Sequence, residues 1–172
     1  AEVTNALADQ VFEALEILLH GFEAAAERDG DTLLRELQSG PGDPIYAGLL
    51  TVLLRLVFML YAEDRGLLPV DHPVYAAHYS VLALFEQLQN DAAAHPDAMA
   101  RRFGAWSRLV ATWRTIYLGV HHDDLHMPPR QGDFFNPNTH PFLEGRAPGD
   151  SSPLHYEQHR ERAAVRVPSV DD

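Results

Sequence analysis

The chain has no cysteine and no lysine; its 13 basic side chains are all arginine, set against 25 acidic ones. Without cysteine there is no disulfide framework, no thiolate nucleophile and no thiolate metal site, a usage that suits a cytoplasmic protein. No glycine-rich phosphate loop and no G-x-S-x-G elbow occurs either, so nucleotide-loop and serine-hydrolase chemistry have no carrier. Basic charge is scarce: the formal net charge is −12. A surface that acidic repels phosphate backbones, and contact with DNA would need a local arginine patch. Glu2 stands where a signal peptide has its basic run, so none is expected.

What is present is enough apolar matter for one domain: 46% of 172 residues are hydrophobic, well outside disordered composition. The longest apolar run, Ile45 to Ala62, raises the question of a membrane span. Arg55 sits near its middle, no basic flank precedes it, and Glu63-Asp64 follow at once. An arginine at mid-bilayer is costly, so the run is expected to be the central helix of a soluble protein, with no membrane partner.

The expected fold is all-α: a bundle of about five helices over 1–118 around a central hydrophobic helix at about 44–65. Leu7, Val11, Leu15, Leu18 and Phe22 form one stripe of a first helix, closed by Gly30. A short second helix precedes the Ser39-Gly40-Pro41-Gly42 break. Asp43-Pro44 pairs an N-cap acceptor with proline at the first helical position, and Gly66 with Pro69 ends the helix that follows. A fourth helix is expected over 74–92. A fifth opens at Pro96, with Met99, Phe103, Trp106, Val110, Trp113 and Tyr117 stepping by three and four.

Residues 119–172 have another texture. Seven of the 12 prolines and six of the ten histidines fall there, and no period is sustained before a short helix expected over 154–164. So long an irregular stretch is unusual in a compact domain. Phe134, Phe135, Phe142 and Leu143 are nevertheless too apolar for a free linker. They are expected to dock on a neighbouring domain, on a second copy, or back on the bundle.

Three constellations could carry function. His121, His122, Asp124 and His126 offer imidazole and carboxylate ligands suited to a transition metal. Their near-adjacent spacing suits a solvated polar loop at a helix end equally well. Arg101, Arg102, Arg108 and Arg114 are the one basic concentration and the candidates for DNA contact, or else the polar face of an amphipathic helix. Arg55, Glu63, Asp64 and Arg65 read as structural ion-pair residues, because a charge buried in an apolar helix needs a partner. Asn136-Pro137-Asn138-Thr139 reads as a turn. No complete catalytic set is present, and no cofactor site is expected in this chain.

The run Ile45–Pro69, with its core Leu53-Leu54-Arg55-Leu56-Val57-Phe58-Met59-Leu60-Tyr61-Ala62-Glu63-Asp64-Arg65-Gly66-Leu67-Leu68-Pro69, resembles a segment of large single-chain DNA adenine methyltransferases. These are the Type IIG-like restriction–modification enzymes and their relatives in phage defence. A second block, Pro128–Pro137 with Pro141-Phe142-Leu143-Glu144-Gly145-Arg146, is similar to a later stretch of the same family, in matching order and separation. The resemblance spans about residues 8–170. It implies the helical region that precedes the methyltransferase domain, in enzymes that bind S-adenosylmethionine and methylate adenine N6 in duplex DNA. The family's cofactor glycine motif, its Asn-Pro-Pro-aromatic motif and its nuclease Glu-x-Lys set have no counterpart here. The expectation is therefore a non-catalytic connector or interaction module. Its partners would be the remainder of a methyltransferase polypeptide, or a second copy in a dimer. A DNA-contacting helical domain and a metal-dependent protein remain the alternatives.

Overall fold

The computed structural model describes residues 2–30, 33–38, 41–147 and 167–172; the helix expected over 154–164 lies outside them. Among the described residues the fold is a mostly α-helical bundle carrying one two-stranded hairpin. Helix α1 (Glu2–Asp29) buries Leu15, Phe22 and Ala25 and ends where Gly30 takes φ +67°, the left-handed position that closes many helices. Helix α2 (Leu33–Gln38) adds Leu34 and Leu37 to the core. Helix α3 (Pro44–Asp64) starts where the Asp43 carboxylate accepts the Tyr46 N–H at 2.9 Å, with Pro44 at the first helical position.

Two helices are interrupted where their apolar periods suggest continuity. The segment expected as one helix over 74–92 is α4 (Pro73–His78) and α5 (Val81–Ala94), separated by Ser80, whose hydroxyl accepts the Ala83 N–H at 3.0 Å. The fifth helix starts as a 3₁₀ turn over Pro96–Arg101 and becomes α6 only over Ala105–Leu118. Between them Phe103 pairs with Asp171 in an isolated antiparallel bridge, and the Asp172 carboxylate accepts the Ala105 N–H at 2.8 Å. Asp171 and Asp172 thus hold Arg102 and Phe103 out of the helix and supply a cap for α6. Met99 and Phe103 leave the helical stripe, while Trp106, Val110, Trp113 and Ile116 stay buried.

The largest departure concerns α3. Its apolar composition suggests burial on all sides, yet one face is left open: Leu49, Val52 and Met59 are buried, while Leu54, Val57, Phe58 and Tyr61 are exposed. Helices α1 and α2 take one flank and the 128–146 segment lies over another, and among the described residues nothing covers the third. By length and composition α3 could cross a membrane; 39% of its most apolar window is buried in the fold. Beyond α6, strands β1 (Val120–His122) and β2 (Leu125–Met127) pair antiparallel through Asp123-Asp124. Asp123 takes φ +47°, as a two-residue hairpin turn requires. Gly119, at φ +77°, sits so close to the hairpin's exit that a Cβ would lie 2.7 Å from the Pro129 nitrogen. Residues 128–147 then fold back on the bundle with one 3₁₀ turn, Pro141–Glu144.

Candidate functional site

Two buried knots of charge organise the molecule. The first is at the C-terminal end of α3, where Glu63 is only 5% exposed. One carboxylate oxygen accepts the Tyr75 hydroxyl at 2.9 Å and the Val81 N–H at 2.8 Å; the other accepts the Ser80 hydroxyl and the Leu82 N–H, both at 3.0 Å. Val81 and Leu82 are the first residues of α5, so Glu63 places a negative charge on that helix's free N–H groups. Burial, with the Glu63 carboxylate beside it, pushes the Tyr75 phenol above its ordinary range. Arg108 approaches the same corner, donating to the Ser80 carbonyl at 3.3 Å. Asp64 and Arg65 face solvent and meet at 3.7 Å, a contact worth little to stability.

The second knot joins α3 and α6 to the returning tail. Arg55, 3% exposed, donates Nε–H to the Phe134 carbonyl at 2.7 Å. Its guanidinium lies over the Trp113 and Phe135 rings, 5.0 and 5.7 Å from their centroids. Among the described residues no carboxylate bonds to Arg55, so the expected ion pair is not found there, and its Nη2 has no hydrogen-bond partner. Desolvation lowers its pKa to about 10, against the raising influence of Glu144, so it stays charged at neutral pH. Glu144 instead receives Arg114 in a two-pronged bond, 2.9 Å at each oxygen, with Arg146 Nε 3.3 Å from one of them. Arg146 also donates to Asn138 Oδ1 at 2.9 Å and to the Pro137 carbonyl at 2.7 Å.

Around this centre the tail fits tightly. A Cβ on Gly48 of α3 would lie 2.4 Å from the Phe142 ring, so the glycine is what lets the tail reach the helix. Phe142 meets Phe22 edge-on, and the Leu143 carbonyl accepts the Trp106 indole N–H at 3.0 Å. His140 Nε2 lies 3.0 Å from Thr51 Oγ1, and desolvation, helped by the Arg55 charge, holds the imidazole below its ordinary pKa. Of the three docking places expected for the tail's apolar residues, the structure shows the bundle itself: Phe135, Phe142 and Leu143 are buried on it. Phe134 is partly exposed against Phe58. Asn136 accepts the Asn138 N–H at 2.9 Å in the expected turn.

The remaining candidates separate. Arg101, Arg102 and Arg108 line one cleft of about 590 Å³ beside Asp172, but Arg102 is paired with Asp91 at 2.8 Å. Arg114 does not join them, since it is bound to Glu144. In the hairpin His121 and His126 face each other with ring centroids 4.1 Å apart. His122 belongs to the next pair along and lies 3.4 Å from Asp123, and Asp124 sits in the turn. No three His, Asp or Glu side chains among the described residues are grouped to hold a metal, because strand alternation separates the four.

Sequence reasoning had not singled out Gly48, Glu144, Arg146 and His140 as site residues. A glycine within an apolar helix was the one available signal of a close approach. Chemically, both knots hold elements together through hydrogen bonds between largely buried groups on different segments. Comparison with protein-family models, with curated proteins and with solved structures gives no match for this chain.

Proposed function

We propose that the chain is a non-catalytic helical connector module of a DNA adenine-N6 methyltransferase of the restriction–modification or phage-defence type. The observation that supports this most directly is the interlocking of the two segments on which the resemblance rests. Residues 45–69 contribute Gly48, Thr51, Arg55 and Phe58; residues 128–146 answer with Phe142, His140, the Phe134 carbonyl and the Phe134 and Phe135 rings. The buried charged residues of both blocks, Arg55, Glu63, Glu144 and Arg146, are spent on this packing and on capping α5, which is the work of a scaffold. S-adenosylmethionine would belong to the adjoining methyltransferase domain, and duplex DNA would be met through the parent enzyme in the cytoplasm.

The experiment is to sequence the gene beyond the codon for Asp172 and assay the product. A reading frame that continues into a glycine-rich cofactor motif and an Asn-Pro-Pro-aromatic motif, with methyl transfer to duplex DNA by the longer protein and none by residues 1–172, is the expected result. Methyl transfer by residues 1–172 alone, or a frame that ends without such motifs, would overturn the reading.

A further inference from the structure

We infer that the uncovered face of α3 is the two-fold interface of a homodimer, with two copies of the helix packed antiparallel about Leu54. Six large apolar side chains on this helix are exposed, among them Val57 at 65%, Tyr61 at 55% and Leu54 at 51%. At about 100 Å² apiece they present on the order of 600 Å² of apolar surface. That is the upper end of what a lone protein carries. Phe134 and Leu67, also exposed beyond a third, bring the patch near the roughly 800 Å² per partner of a standard interface.

The pattern along the helix selects a second copy of this chain as the occupant. Successive residues turn by about 100°, so Asp43, Ala47, Leu50, Leu54, Phe58, Tyr61 and Arg65 share one stripe, and Leu54 is its midpoint. A two-fold axis through Leu54 sets each residue against a partner whose number completes 108, because an isologous contact pairs residue i with j and j with i. Leu54 then meets its own copy, Phe58 meets Leu50 and Tyr61 meets Ala47, apolar against apolar at every step. At both ends the exposed Arg65 of one copy reaches Asp43 of the other. Between those ends the stripe carries no charge that would be stranded, and the antiparallel arrangement sets opposite helix ends side by side. The register uses the exposed edge of Phe58, whose ring also meets Phe134 and Phe135 of the docked tail, and it leaves the fully buried residues of α3 untouched.

The absence of cysteine makes the test clean. Light scattering on the full chain at micromolar concentration is expected to give twice the 19.2 kDa monomer mass. Leu54→Asp is expected to raise the dimer dissociation constant at least a hundredfold with the helical circular dichroism unchanged. Leu54→Cys should form an intermolecular disulfide under mild oxidation, while Leu118→Cys, an exposed position outside the stripe, should not. A monomer mass for the unmodified chain overturns the inference, whether the protein then floats with phosphatidylcholine vesicles or stays free. So does a dimer that survives Leu54→Asp, or a Leu54→Cys protein that crosslinks no faster than Leu118→Cys. None of these outcomes bears on whether the gene continues into a methyltransferase.

Discussion

Replacing Glu63 by glutamine changes one atom's chemistry at a corner where four donors converge. The two oxygens of Glu63 each accept two hydrogen bonds, one from a hydroxyl and one from a backbone N–H. Glutamine keeps one acceptor oxygen and turns an NH₂ toward the other pair. The hydroxyl of that pair can rotate to accept from it, but the backbone N–H is left facing a donor, and the remaining bonds lose their charged acceptor. A hydrogen bond to a charged group is worth about 1.5–3 kcal/mol, and a carboxylate at a helix N-terminus adds about 0.5–1 kcal/mol. Relief from desolvating the charge offsets part of this. The net expectation is a loss of about 3 kcal/mol, which in a domain of this size lowers Tm by roughly 10 °C. Urea titration and a thermal melt followed by circular dichroism measure it directly. Asp64→Asn, one residue along but exposed, is the control and should move stability by less than about 0.5 kcal/mol. A Glu63→Gln protein within about 1 kcal/mol of the parent would refute the claim that this carboxylate carries the α3–α5 corner.

Gly48→Ala is expected to destabilise, although alanine is the better helix former by about 1 kcal/mol. The added Cβ meets the Phe142 ring at 2.4 Å. The overpacking cost of about 1–3 kcal/mol should appear as faster proteolysis within 128–147, and an unchanged digestion pattern would count against the docking. For His140 the folded pKa is depressed below its ordinary value of 6.5, first by burial and then by Arg55. The unfolded chain therefore binds the proton more readily, so His140 contributes stability that is present above pH 6.5 and lost as pH falls below it. His140→Asn should flatten that part of the stability–pH curve, measured by urea midpoints between pH 8 and 5; curves of the same slope would sink the assignment.

The helical class and the beginning of α3 were legible in the sequence, because an apolar stripe and an Asp-Pro start are local signals. The break at Ser80 was not, since it depends on Glu63, distant in sequence, satisfying the N–H groups of Val81 and Leu82. The late start of α6 likewise depends on Asp171 and Asp172. Composition marked α3 as the most apolar helix and thereby suggested full burial, but it carries no information on how many neighbours are available to cover it. The need for a buried partner of Arg55 was readable from charge alone. That the partner is a carbonyl and two aromatic rings was set by where the tail crosses the helix, a long-range fact. The histidine and arginine clusters were legible as clusters, and strand alternation and the Glu144 bond then divided them.

The account stands or falls on the tail being locked to the bundle through Glu144. A double-mutant cycle with Arg114→Leu, Glu144→Leu and the double variant, read as urea unfolding free energies, tests it most directly. The two-pronged contact at 2.9 Å, with both side chains nearly buried, predicts a coupling of about 1.5–3 kcal/mol. Single variants that add without coupling would show that residues 128–147 are not held there, and the scaffold reading would lose its foundation.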